Sequence, residues 1–400
     1  MITGVSFTKS EMKKSLIALA VSAISCTSFA QVSITGALAM GYKQTTSVGT
    51  SRVLHPLAPV VINAATSGAD SSGFGVDTSE INISATEDIG GGQKIEAKMA
   101  LAGADRSGES GNGTVNGRDA TLSYTNNSFG RIQMGSTMDG AIHGGIPSAG
   151  APVIDMDGKL FEIRTSNDFI SYAAPIGPVI FQYKLSESSK GIGLGSGFGG
   201  TSGITVGQRK SDFALVYLNG PLQLVGAYRS YDNRNAVTIA TAEGLTKDNV
   251  YAVQAGYDAG FAKFGFGYNF IAASVGPKVA DMLLGVSVPV GAWTFGMTLG
   301  RQTVSGVADA PASAFPAVPA AGLSQAHIKS ILQLADGSAN GMSIGAKYDL
   351  SKRTNLTVKY ATWTRSGYEQ FEAFGKTNNL GEFGYTANAS EAAVLLSHSF

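Results

Sequence analysis

The chain ends Glu391-Ala392-Ala393-Val394-Leu395-Leu396-Ser397-His398-Ser399-Phe400, and this stretch decides the fold. Ala392, Val394, Leu396, His398 and Phe400 share one parity; Glu391, Ala393, Leu395, Ser397 and Ser399 share the other. The first face is apolar and closes on an aromatic ring. The second is mostly small and polar. Alternation at period two is the signature of a half-buried β-strand. A secreted antiparallel β-protein and a membrane barrel both accommodate such an ending, so the rest of the chain has to choose between them.

The opposite end points out of the cytoplasm. Lys13 and Lys14 form a basic n-region, Leu16 to Ile24 is a short apolar run, and Ser28-Phe29-Ala30 is a small-x-small cleavage signal before Gln31. This is the pattern of a secretory signal peptide over residues 1–30, excluded from the fold. Met1 to Glu11 precede the n-region, consistent with an upstream start codon ahead of Met12. A lipoprotein signal acylated at Cys26 is the rival, but Ala23-Ile24-Ser25-Cys26 lacks the usual leading Leu. The apolar run is too short to span a bilayer as a helix.

Composition narrows the class. Lys and Arg number 29 and Asp and Glu 29; without residues 1–30, which hold Lys9, Lys13, Lys14 and Glu11, the balance is 26 to 28, or about −2. That leaves no basic footprint for nucleic acid. The single Cys lies in the signal, so residues 31–400 can form neither a disulfide nor a Cys-ligated metal site. After residue 30 no apolar run approaches the ~18 residues of a membrane helix. Lipid tolerates only helices and closed barrels, because unpaired backbone groups cost too much there. If the chain is in a membrane, it is a barrel.

The alternation recurs along the chain. Val32, Ile34, Leu38, Met40 and Tyr42 share one face of a first strand, Gln31 to Lys43. Trp293, Phe295, Met297 and Leu299 alternate with Thr294, Gly296 and Thr298; Leu356, Val358 and Tyr360 alternate with Thr357, Lys359 and Ala361. A soluble sandwich would have about 100 residues per domain, yet here the pattern runs on with no linker. Seven short turns separate strand pairs, near Gly90, Asn127, Gly177, Gly220, Gly260, Gly291 and Ser351, and all but the last carry Gly, Asn or Pro. Seven turns imply eight longer loops and sixteen strands. The expected fold is therefore all-β: one transmembrane antiparallel β-barrel over residues 31–400. Sixteen strands enclose water rather than a packed core.

Several stretches resemble a known family. Thr86-Glu87-Asp88-Ile89-Gly90-Gly91-Gly92-Gln93-Lys94, Gly117-Arg118-Asp119-Ala120-Thr121-Leu122-Ser123 and Ser128-Phe129-Gly130-Arg131-Ile132-Gln133-Met134-Gly135 are similar to motifs of the general porins of neisserial and β-proteobacterial type. Tyr348-Asp349-Leu350-Ser351-Lys352-Arg353-Thr354 resembles their last turn, and Ser397-His398-Ser399-Phe400 their terminus. The resemblance implies a homotrimeric outer-membrane channel of Gram-negative bacteria, carrying ions and small solutes, with its third external loop folded into the lumen. It implies lipid and lipopolysaccharide as surroundings, and a terminal strand, ending at Phe400, that the barrel-assembly machinery reads. Ser136 departs from the family pattern, which often has Arg there, and the first loop carries an unusual apolar run, Val53 to Ala65.

In such a channel the chemistry is a field across a constriction. Parity points Lys98, Arg131, Lys184, Arg229 and Lys359 inward, and Arg118 matches a basic position of the family motif. The third loop, about Thr137 to Ile163, carries Asp139, Asp155, Asp157 and Glu162, with Arg164 just beyond. Folded inward, it would set carboxylates against Lys98, Arg118 and Arg131. The surplus of inward bases suggests a mild anion preference. No catalytic, metal or cofactor site is expected: no pair of the four His has ligand spacing, and Gly191 to Gly197 lacks the Lys and Ser/Thr of a phosphate loop. The alternative reading is a non-conducting structural or adhesive barrel.

Overall fold

The computed structural model describes residues 31–54, 61–103, 116–139, 145–157, 159–161, 165–188, 209–232, 247–273, 278–306, 337–364 and 382–400. Among them the order is β1 (Gln31–Leu54), β2 (Val61–Gly90), β3 (Gln93–Ala102), β4 (Asn116–Asn126), β5 (Gly130–Asp139), β6 (Thr165–Ile176), β7 (Val179–Ser188) and β8 (Arg209–Asn219). Then come β9 (Leu222–Asp232), β10 (Lys247–Asp258), β11 (Lys263–Ala273), β12 (Lys278–Val290), β13 (Trp293–Ser305), β14 (Gly337–Asp349), β15 (Thr354–Thr364) and β16 (Glu382–Ser399). Each strand pairs with its sequence neighbours, and β1 pairs with β16, so the sheet closes into a sixteen-stranded barrel. Closure leaves no sheet edge for lipid to meet.

The pleat sorts the residues. Leu356, Val358 and Tyr360 stand open on the outside of β15, while Thr357 and Ala361 between them are buried on the inside. Outside means lipid, and its apolar band is bounded by rings at the turn end. Trp293 stacks 5.9 Å from Phe295 and lies 4.7 Å from Tyr348. Such rings sit at the membrane interface, apolar body in and polar edge out. The seven turns are as short as expected. In the turn between β12 and β13, Gly291 takes a φ of 61°, where a side chain would be strained.

One region differs from the sequence reading. The first strand does not stop at Lys43 but runs to Leu54, and its ladder with β2 continues to Leu54↔Val61. The ends of the apolar run Val53 to Ala65 are thus strand rather than loop, and residues 55–60 lie outside the described residues. Thr45, Thr46, Val48, Thr50 and Val53 favour the extended backbone, and no Pro interrupts before Pro56. Among the described residues, β3 joins β2 only from Glu80, and β15 joins β16 only from Asn388. Beyond those points β2, β1 and β16 continue as a three-stranded extension.

Candidate functional site

The inner wall is divided into two unlike halves. On β10 to β14 its inward positions include Gly256, Gly265, Gly285, Gly296, Gly300, Gly341 and Gly345. Missing side chains leave a trough, and the third loop, which connects β5 to β6, lies in it. Ile146 packs on Gly256, and the carbonyl of Pro147 stands where a Cβ on Gly265 or Gly285 would project. The carbonyl of Pro152 stands behind Gly345 in the same way. Hydrogen bonds pin the course: the Ser287 hydroxyl donates to the Ala149 carbonyl at 2.8 Å, and the Ile154 N–H donates to Ser343 Oγ at 2.9 Å.

The loop then seals itself with an apolar contact. Ile154, Met156, Leu160 and Phe161 form a buried cluster with Leu283, Ala339, Ala361, Trp363 and Ala389 of the wall. Leu160 and Phe161 are each 1% exposed, so this is a dry core inside the barrel. Burial of that apolar area, at about 25 cal/mol per Å², holds the loop against the wall. A described ion pair joins loop and wall as well, and its polarity is the reverse of the sequence expectation. The loop supplies the cation, Lys159, 3.7 Å from Glu391 of β16. Lys43 approaches the same carboxylate at 3.1 Å and Asp77 at 3.1 Å.

Across the barrel the wall carries paired charges. Lys98 lies 2.9 Å from Glu96, and Arg131 lies 3.4 Å from the same carboxylate while donating to Ser123 Oγ at 3.1 Å. Arg118 pairs with Glu80. Arg229 holds Asp212 with two hydrogen bonds, 2.6 and 2.8 Å. Lys184 lies 4.5 Å from the centre of the Phe169 ring. Lys210 donates to Asn167 at 3.1 Å, and both it and Arg229 lie 6.0 Å from the Tyr231 ring. Thus β6 to β9 carry three cations and an aspartate between two aromatic rings.

Of the residues singled out in the sequence, Lys98 and Arg131 meet at Glu96, and Arg118 stands apart at Glu80. Lys359 faces inward on β15. Asp155 and Asp157 lie on the loop, where Asp155 accepts the Asp157 N–H at 3.3 Å. Asp139 ends β5, with its side chain outside the described residues; Glu162 and Arg164 lie outside them too. The described part of the loop rests on β10 to β16, not on the strands of Lys98, Arg118 and Arg131. Sequence reasoning missed Glu80, Glu96, Asp212, Glu391, Lys159 and Lys210. Parity places the four wall acids inward, so that signal was present.

A closed barrel of this size with charge on its inner face can pass water, ions and polar solutes. Comparison with known proteins agrees. A family model described as Gram-negative porin matches residues 15–368. A search of curated proteins finds no match. Among solved structures, an anion-selective porin from Comamonas acidovorans is similar at 20% identity and a TM-score of 0.56, covering 93% of this chain and 100% of that one. The outer membrane channel DcaP of Acinetobacter baumannii is similar at 13% identity and a TM-score of 0.56, covering 94% and 98%. The trimer form of OmpT of Vibrio cholerae is similar at 12% identity and a TM-score of 0.50, covering 93% and 100%. From its sixteen-stranded closure and the match over most of its length, the chain belongs to the Gram-negative porin family, whose barrels cross the outer membrane.

Proposed function

We propose that the barrel is a passive channel for ions and small polar solutes, with selectivity set by the charges of its inner wall and third loop. The observation that carries this reading is the division of the lumen. One half is sealed by the third loop over a glycine trough, and the other half presents Lys98, Arg118, Arg131, Lys184, Lys210 and Arg229 with their acids. Lys94 and Lys359 face inward with no carboxylate at ion-pair distance among the described residues. Their charge favours a mild anion preference, which the loop carboxylates Asp155 and Asp157 moderate. Passage of this kind is passive and calls for no cofactor.

The working form in this reading is a homotrimer in lipid and lipopolysaccharide, delivered by a cleaved signal over residues 1–30 and assembled through the strand that ends at Phe400. The trimeric OmpT of Vibrio cholerae supports the first part by analogy of fold alone. Reconstitution of residues 31–400 in a planar bilayer tests the channel. Stepwise ohmic conductance that grows with salt concentration is expected. A folded barrel that inserts and stays electrically silent would make it a structural or adhesive surface protein instead.

A further inference from the structure

The inward positions of the open half of the barrel fall into register rows. One row runs Gly135, Phe169, Ser186, Lys210 and Tyr231 across β5 to β9, each residue opposite the next. The row on its turn side runs Ser171, Lys184, Asp212 and Arg229 across β6 to β9. Phe169 and Tyr231 are thus rings on the water side of the sheet. Parity turns the other described rings of β3 to β9, such as Tyr183 and Phe213, toward lipid. An inorganic ion in transit has no use for a ring, so the two inward rings ask for a different solute.

The surroundings of the two rings differ. At Tyr231, Lys210 is buried and bonds to Asn167 at 3.1 Å, and Arg229 is held by Asp212 with two bonds. At Phe169 the cation is Lys184, half-buried, with its ammonium 4.5 Å from the ring centre. On the β5 side of Phe169 stands Gly135, where a Cβ would strike the Ala120 carbonyl. That flank of the ring therefore carries no side chain. Three strand spacings, about 14 Å, separate Phe169 from Tyr231, too far for one small solute to touch both rings.

We propose that Phe169 and Lys184 form a subsite for aromatic carboxylates, which it separates from aliphatic ones of equal charge and size. The carboxylate meets the Lys184 ammonium, and the solute ring lies against Phe169 over the Gly135 flank. Aromatic pairs gain from offset or edge-to-face contact beyond the area they bury, and a saturated ring of the same size does not. Packing of Phe169 on the Lys184 stem alone would give no such preference among solutes. The subsite rests on the channel reading, which gives solutes their access to the lumen.

The test uses the folded protein in detergent, with binding read by saturation-transfer NMR titration, which needs no conduction. The probes are benzoate, cyclohexanecarboxylate and neutral benzyl alcohol. Benzoate should bind about two- to twelvefold more tightly than cyclohexanecarboxylate, the usual range for one aromatic pair. F169L should remove that difference, F169Y should retain it, and F181L, on the lipid face of β7, should leave it intact. K184Q should weaken both acids about fivefold and leave benzyl alcohol unchanged. Should F169L fail to give a heat-modifiable barrel, the parent's own preference and K184Q decide. Equal affinity of the two acids in the parent, a preference lost in Y231L but kept in F169L, or acids unaffected by K184Q would each overturn the subsite. A barrel that prefers benzoate yet stays silent in a bilayer keeps the subsite and loses the channel; one that conducts without the preference does the reverse.

Discussion

Gly36 of β1 and Phe400, the last residue, exchange two backbone hydrogen bonds of 3.0 Å each. They form a hydrogen-bonded antiparallel pair at the seam where the barrel closes. The Phe400 ring also lies against Gly36, so that a Cβ at that position would strike the ring and the backbone of β2.

Removing Phe400 deletes both bonds and the ring that covers the seam. Slow insertion and accumulation of unfolded chain in the periplasm are expected, read as loss of heat-modifiable migration on gels. Gly36→Val should produce a milder form of the same defect, because the ring has to shift. Normal assembly of the chain lacking Phe400 would show that the seam does not depend on it.

The two faces of the wall should respond differently to charge. Val358→Arg puts a cation on the lipid face of β15 and should cost about 2–4 kcal/mol near the midplane. Thr357 is 4% exposed inside the lumen, too tightly covered to serve as the inward control. Gln182 of β7 faces inward and is open, so Gln182→Arg should cost much less. Chemical unfolding of both variants in the same lipid measures the difference; equal costs would mean that the register is wrong.

Lys98 and Arg131 share the single carboxylate of Glu96, which offsets one of their two charges. Glu96→Gln removes a negative charge and leaves two cations facing water, so anion permeability should rise. Reversal potential in a KCl gradient should move toward that of chloride. Arg131→Glu should move it toward that of potassium. Both shifts should be larger in 0.1 M than in 1 M salt, as the screening length falls from about 10 Å to about 3 Å. No shift in either variant would remove this cluster from the ion path.

Lys159 is the loop's described ionic tie to the wall. Lys159→Met keeps the apolar stem and deletes the charge, so the dry cluster should persist while the tie to Glu391 is lost. Open-channel current noise should increase with little change in stability. Glu391→Gln leaves Lys43 and Lys159 close together without their shared anion, and should be both noisier and less stable. Quiet recordings from both would assign the loop's hold to the Phe161 cluster and the hydrogen bonds at Ser287 and Ser343.

Local features of the fold were readable in the sequence. The period-two runs at 293–299, 356–361 and 391–400 and the seven turns are properties of a few neighbouring residues, and together they imply the strand number. What resisted reading is nonlocal. Ile154 bonds to Ser343 across 189 positions of sequence, and no short pattern announces that contact. Glycine marks turns such as Gly90 and Gly291, yet Gly285, Gly296, Gly300, Gly341 and Gly345 lie within strands, where they make room for the loop. The loop's acids suggest repulsion from other carboxylates, yet its Lys159 meets Glu391. The apolar run near Val53 reads as a loop because the β-branched residues before it permit an extended backbone without specifying its long-range pairing with β16.

The trough beneath the third loop means that the bore can be adjusted from behind. Gly285 and Gly345 touch no solute, but a methyl group at either would wedge the loop away from its seat, like a shim under a valve plate. Calibre is thereby written at positions hidden from everything that passes, and evolution can widen or narrow the passage without altering a single charge along it.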